Sequence, residues 1–183
     1  MTAIAAQRAS VYPRALIALH WATALIIVAV AALMELREIF PKGSDPREAM
    51  KALHFMLGLT VLGLVAVRIW VRFGAAVPQI SPSPPAWQTG LGHLAHAALY
   101  ALMISLPILG WLTLSAGGKS IPFFGLSLPA LVAENKDMAA WYKEIHQLLG
   151  DALYIVVGIH AAAALFHHYA VKDNTLTRML PAK

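Results

Sequence analysis

Four long apolar segments constrain this chain more than any other feature of its sequence. They cover approximately residues 15–34, 52–71, 91–115 and 145–171. Each is close to or above the roughly 20 residues that a helix needs to cross a hydrocarbon layer of ~30 Å. A mean hydropathy of +0.65 and a charged fraction of 13% are also unusual for a soluble protein of 183 residues. We therefore expect an all-α integral membrane protein, a single domain over residues 1–183 folded as an antiparallel, up-and-down four-helix bundle.

The connections between these spans carry charges and turn residues. Residues 35–51 mix both charges with proline and glycine, which predicts a short exposed connection. Residues 78–85 read PQISPSPP, and because proline lacks an amide hydrogen, this stretch is expected to be an extended linker. A stretch rich in Gly, Pro and Phe, from residue 116 to about 129, is predicted to be a loop before the fourth span.

Cysteine is absent, which excludes disulfides, thiolate zinc sites, iron–sulfur clusters and the C-x-x-C-H attachment of a c-type haem. Eight histidines remain as metal ligands, and most lie in or beside the apolar spans, where an ionisable residue is costly and usually functional. The net charge of +5 needs no nucleic acid partner, because basic residues that flank membrane helices and contact anionic lipid explain it.

The basic residues leave the orientation in the membrane open. Seven lysines and arginines lie on the side of the chain termini and seven on the other side. All acidic residues except Asp173 lie opposite the termini, but the positive-inside rule counts lysine and arginine and is not a rule about net charge.

An antiparallel arrangement fixes the depth of four histidines. His20 and His54 lie near the starts of the first and second spans, and so at opposite sides of the membrane. His146 lies near the start of the fourth span, and His160 lies about 21 Å further along nearly the same helix face. Depth alone therefore pairs His54 with His146 and His20 with His160. Two imidazoles from facing helices can bind a haem iron from both sides without covalent attachment, so the pattern predicts two stacked haems.

Small residues lie four positions after each of these histidines, on the same helix face: Ala24, Gly58, Gly150 and Ala164. They would leave space for a porphyrin. Small residues also allow membrane helices to pack closely, so packing is the alternative explanation.

The other histidines give weaker signals. His93 and His96 are three residues apart and could bind a metal, but the glutamate of a zinc hydrolase motif is missing, and we favour interfacial hydrogen bonding. His167 and His168 end the fourth span. His167 lies seven residues after His160, close to two helical turns, and is therefore expected to face the bundle.

Five motifs extend over nearly the whole chain: LHW at 19–21, MELREIFP at 34–41, GLGHLAH at 90–96, IHQLLG at 145–150, and GIHAAAALFHHYAVKDNTLTRMLP at 158–181. Through them the chain resembles the bacterial cytochrome b561 family, close to its superoxide oxidase branch. The resemblance implies two non-covalent b-type haems, with His20 and His160 on the cytoplasmic one and His54 and His146 on the periplasmic one. It also implies a multi-pass protein of the inner membrane with both termini in the cytoplasm.

The resemblance further implies a superoxide:ubiquinone oxidoreductase, in which periplasmic superoxide is oxidised to O2 and ubiquinone is reduced to ubiquinol. We expect His167 to be a hydrogen-bonding or proton-transfer partner of the quinone, and Arg37 and Lys119 to attract the superoxide anion. One alternative is an electron-transfer subunit docked to a dehydrogenase partner. Another is a histidine-lined metal transporter, although such a protein should carry inward carboxylates and only Asp151 qualifies.

Overall fold

Four long helices dominate the computed structural model, which describes residues 11–181. They are α1 (Arg14–Leu36), α2 (Asp45–Phe73), α3 (Ala86–Ala116) and α4 (Lys136–Phe166). Together with the short helical turns that extend α1 and α4, they form apolar segments of 26 to 36 residues, each long enough to cross a membrane. The predicted all-helical membrane architecture is confirmed.

Three of the helices, α2, α3 and α4, begin more than one turn before the spans predicted from hydropathy. In α2 the first turn holds Asp45 and Pro46, an acid and a proline at positions that favour a helix start. In α4 the side chain of Asn135 accepts a hydrogen bond of 3.0 Å from the amide of Met138. These charged turns continue the helices beyond the apolar layer, so the predicted connection over residues 35–51 was too long.

The segment between α3 and α4 contains a β-hairpin that the prediction of a plain loop missed. Strand β1 (Ile121–Phe123) pairs antiparallel with β2 (Leu126–Leu128). Phe124 and Gly125 between them both have positive φ, 46° and 86°, as tight hairpin turns require. The amide of Phe124 lies 3.1 Å from the sulfur of Met56. The hairpin therefore covers the end of the bundle at which α2 begins.

The apolar core lies between α2, α3 and α4, and it does not fill the bundle evenly. Val61 and Val65 of α2 pack with Leu102 and Leu106 of α3 and with Leu153 of α4. Helix α1 packs along α2, and α4 packs along α3. In the described part of the chain, the backbones of α1 and α4 hardly approach each other. This leaves an opening between two helices that both carry histidines.

Residues 172–181, here called the C-terminal cap, fold back over the end of the bundle opposite the hairpin. The amide of Asn174 donates to the carbonyl of Ser81, and its side-chain oxygen accepts from the amide of Ser81. The indole of Trp21 donates a hydrogen bond of 2.7 Å to the carbonyl of Met179. The cap therefore connects the α2–α3 linker and α1 to the end of α4.

Candidate functional site

His54 of α2 and His146 of α4 face each other at the hairpin end of the opening. Their ring centroids are 6.1 Å apart. Nδ1 of His54 lies 3.1 Å from the carbonyl oxygen of Val30, and Nδ1 of His146 lies 2.9 Å from that of Leu106. A carbonyl can only accept, so both Nδ1 atoms carry the proton and both Nε2 lone pairs are free for a metal.

His20 of α1 and His160 of α4 face each other at the cap end, with ring centroids 6.3 Å apart. The surroundings of this pair differ. Nδ1 of His20 is buried and has no hydrogen-bond partner within residues 11–181. The ring of His96 lies 5.3 Å from that of His160, and its own Nδ1 bonds to the carbonyl of Gly92 at 2.6 Å. His96 thus lies beside His160 at the opening, which the expected interfacial role did not include. His93 has no such ring contact in the described part of the chain, and both residues are exposed.

Each pair has the spacing that two axial ligands of one haem iron require. A bond from a metal to an imidazole nitrogen is about 2.0–2.1 Å, so two coaxial ligands place their ring centroids roughly 6 Å apart. No cluster of three or more His, Cys, Asp or Glu side chains arranged for a metal ion is present in the described part of the chain. A planar cofactor that needs two protein ligands is therefore the group that these histidines suit.

Space for such a cofactor lies beside the histidines. A cleft that is open on one side borders the His54–His146 pair, and Gly58 and Gly110 form part of its wall. A β-carbon added to Gly58 or to Gly150 would meet no atom of the described residues within 4 Å. The two predicted glycines, which follow His54 and His146, therefore border open space, as a porphyrin face requires. The residues present fit a haem at each pair, held without covalent bonds.

Different charged side chains lie near the two histidine pairs. Arg68 of α2 lies within electrostatic range of His20, His96 and His160, and its guanidinium lies 5.7 Å from the ring centre of Tyr100. It pairs with no carboxylate among residues 11–181. Arg68 was not predicted from the sequence as a site residue, although a lone arginine inside an apolar span is a signal of function.

At the hairpin end, Arg37 lies within electrostatic range of His54, but its Nε bonds to the carboxylate of Glu38 at 3.0 Å. Arg47, which was not predicted as a site residue, is buried and also bonds to Glu38 at 2.8 Å. Lys119 follows α3 at the same end and is exposed. The two predicted steering residues thus share one end of the molecule, and one of them is partly neutralised.

His167 begins a π-helical turn (His167–Val171) after α4 and is bonded to the C-terminal cap. Its Nδ1 lies 2.5 Å from Oδ2 of Asp173, whose Oδ1 accepts from the amide of Thr175. Burial alone would raise the pKa of Asp173, but the hydrogen bonds from His167 and Thr175 outweigh it and hold the pKa below its usual value. An ionised carboxylate only accepts, so Nδ1 of His167 carries the proton and Nε2 is available to a second partner.

The chain is similar to several known proteins. A family model described as prokaryotic cytochrome b561 matches residues 11–182. The chain is 40% identical over 165 residues to cytochrome b561 homolog 1 of Escherichia coli (strain K12), covering 90% of this chain and 94% of that protein. It is 40% identical over 167 residues to a protein of Yersinia pestis named probable superoxide oxidase CybB, covering 91% and 94%. It is 32% identical over 174 residues to cytochrome b562 of Cereibacter sphaeroides, covering 92% and 94%.

Proposed function

Because the chain belongs to the prokaryotic cytochrome b561 family, we propose that it is a two-haem oxidoreductase that carries electrons from periplasmic superoxide to ubiquinone. Family membership makes it a multi-pass electron-transfer protein of the bacterial inner membrane, with b-type haem as its cofactor. We propose that both termini lie in the cytoplasm, as the resemblance implies. The hairpin end is then periplasmic and the cap end cytoplasmic. The metal transporter alternative predicted no haem and is wrong.

One observation carries the proposal: two histidine pairs lie at opposite ends of one opening, with centroid separations of 6.1 and 6.3 Å. His54 and His146 would hold the periplasmic haem, and His20 and His160 the cytoplasmic one. Each haem, when bound, would supply a one-electron Fe(III)/Fe(II) couple. Two pairs stacked across the membrane suit a protein that accepts an electron on one side and delivers it on the other.

The cytoplasmic end has residues suited to a quinone. Nε2 of His167 is available to hydrogen-bond a quinone carbonyl, and Asp173 fixes the ring through Nδ1. Reduction of ubiquinone to ubiquinol takes up two electrons and two protons. His167 can pass protons from the cytoplasm because a neutral imidazole accepts a proton at Nε2 and is stabilised by the carboxylate on its other side.

The periplasmic end suits a small anion. Two superoxide ions would each lose one electron and leave as O2, which supplies the two electrons that one quinone needs. Arg37 and Lys119 are our proposed steering residues, because positive charge at the entrance raises the local concentration of an anionic substrate. The name of the Yersinia pestis relative, a probable superoxide oxidase, supports the same substrate.

The test uses the purified, haem-loaded protein in detergent. Superoxide supplied to the oxidised protein should reduce the haems, which is followed by their absorbance, and superoxide dismutase should abolish the reduction. Added ubiquinone should then reoxidise the haems. If superoxide reduces neither haem, the superoxide assignment is wrong, and the electron-transfer subunit docked to a dehydrogenase is the better description.

A further inference from the structure

The two histidine pairs differ in the hydrogen bonds that their Nδ1 atoms make. On the periplasmic pair, both Nδ1 atoms have a carbonyl partner, Val30 for His54 and Leu106 for His146. On the cytoplasmic pair, Nδ1 of His20 is buried without a partner among residues 11–181. His160 has a ring neighbour, His96, instead of a carbonyl, and His96 already uses its Nδ1 on Gly92.

The charged residues around the two histidine pairs differ as well. Arg68 acts on both cytoplasmic ligand positions and has no carboxylate partner in the described part of the chain. Arg178 of the cap is also buried and lies within electrostatic range of His96. On the periplasmic side, the cation near His54 is Arg37, whose Nε bonds to Glu38 at 3.0 Å. Glu38 also bonds to the buried Arg47 at 2.8 Å, so this one carboxylate opposes part of the charge of both arginines.

We propose that Arg68 and the unequal hydrogen bonds of the two histidine pairs give the cytoplasmic haem the higher reduction potential. These residues would then favour electron transfer from the periplasmic haem to the cytoplasmic one. This inference rests on the proposed two-haem function, and it concerns equilibrium potentials, not substrates.

Two physical effects act together. A carbonyl that accepts from Nδ1 makes an imidazole a stronger electron donor, which favours Fe(III) and lowers the potential of the periplasmic site. An unneutralised arginine in a medium of low dielectric constant favours the state with one more electron, which raises the potential of the cytoplasmic site. An electron on the haem that His54 and His146 would hold would then pass to the haem that His20 and His160 would hold, so that the first iron would be oxidised as the second is reduced.

The experiment is an equilibrium redox titration of the haem absorbance, with neither superoxide nor quinone present. His54→Ala and His20→Ala proteins, each expected to keep one haem, assign the midpoints to the two sites. The haem kept in His54→Ala should have the higher midpoint. We expect an electron to favour the cytoplasmic site by at least tenfold, which corresponds to about 59 mV for a one-electron couple.

Charge variants test the cause. Arg68→Gln should lower the cytoplasmic midpoint and leave the periplasmic one unchanged, whereas Arg68→Lys should keep the wild-type value. Arg72→Gln is the matched control, because it removes the same charge one turn further along α2. Glu38→Gln supplies a second, independent test at an exposed residue. It should raise the periplasmic midpoint, because it removes the carboxylate that opposes the charges of Arg37 and Arg47.

The proposal is overturned if the haem kept in His54→Ala has the lower midpoint. It is also overturned if Arg68→Gln and Arg72→Gln shift the cytoplasmic midpoint equally. Should Arg68→Gln fail to retain haem, an unchanged periplasmic midpoint in Glu38→Gln would overturn the charge argument by itself. None of these results depends on whether superoxide is the donor, so failure here is distinct from failure of the proposed function.

Discussion

The position of a proton on His54 and His146 determines what each ring can bind. Both Nδ1 atoms donate to main-chain carbonyls, those of Val30 and Leu106, in the middle of neighbouring helices. A carbonyl has two lone pairs, so it can accept this bond in addition to the one from its own helix. These bonds fix the tautomer of each ring and leave Nε2 as the free donor atom in an apolar site.

Replacing one ligand should therefore remove one haem and spare the other. His54→Ala leaves His146 as a single ligand at the periplasmic site, so that haem should be lost, while the spectrum of the cytoplasmic haem persists. Haem content per protein and the reduced-minus-oxidised spectrum measure this. His93→Ala is the control, because His93 is exposed and unpaired with any of the four rings, and it should keep both haems. Loss of both haems from a folded His54→Ala protein, or of neither, would contradict the pairing.

His167 should affect quinone turnover without affecting haem content. In His167→Leu, both haem spectra should persist, and steady-state ubiquinone reduction should fall by about 100-fold or more, as expected when a positioned proton donor is lost. Asp173→Asn should give a smaller loss, because the amide oxygen can still accept from Nδ1 but carries no charge. His168→Leu, at the adjacent residue, is the matched control and should retain wild-type turnover. Unchanged quinone reduction in His167→Leu would remove His167 from the mechanism.

At the scale of helices and strands, hydropathy predicted the four spans but not where each helix begins. Hydropathy reports which residues lie in the apolar layer, and the first turns at Asp45 and Lys136 extend from it into water. The hairpin was missed because each strand has only three residues, and its turn at Phe124 and Gly125 lacks the Asn-Gly or Asp-Gly pair that marks such turns.

The connection between α1 and α2 depends on Arg47. Its guanidinium donates to the carbonyls of Arg37 and Phe40 and to the carboxylate of Glu38, and the residue is buried. Arg47→Ala leaves the two carbonyls without this donor, so we expect a loss of about 1–3 kcal/mol of stability. Thermal unfolding in detergent, followed by haem release, measures it.

Lys51→Ala is the control for this variant, because its bond to Glu48 is exposed and an exposed ion pair contributes little. Equal melting temperatures for Arg47→Ala and Lys51→Ala would show that Arg47 does not hold the connection.

At the scale of the whole molecule, the sequence could predict which histidines lie at the same depth, because a helix rises by a fixed amount per residue and the spans alternate in direction. The rotation of each helix could not be predicted in this way. The carbonyl partners of His54 and His146 and the contact of His96 with His160 depend on that rotation. The bond from His167 to Asp173 depends on the fold of the cap, which returns to α4 after a turn at Lys172.

The distribution of charge between the two ends of the molecule predicts a salt effect on the reaction with superoxide. If Arg37 and Lys119 attract the anion, the second-order rate of haem reduction should fall as salt rises, because the Debye length is only about 8 Å at 0.15 M ionic strength. Lys119→Glu and Arg37→Glu should slow the reaction and flatten its salt dependence. The smaller effect is expected from Arg37, since Glu38 already neutralises part of its charge.

Arg14→Glu is the matched control for this series, because it reverses one charge at the start of α1, at the cytoplasmic end. Helix α1 has 23 residues, so about 34 Å at 1.5 Å per residue separates this charge from the periplasmic entrance. That distance is several Debye lengths at 0.15 M, so the control should react like the wild-type protein. A rate that does not change with salt, or that falls equally in Arg14→Glu and Lys119→Glu, would contradict steering by the periplasmic cations while leaving the reaction itself intact.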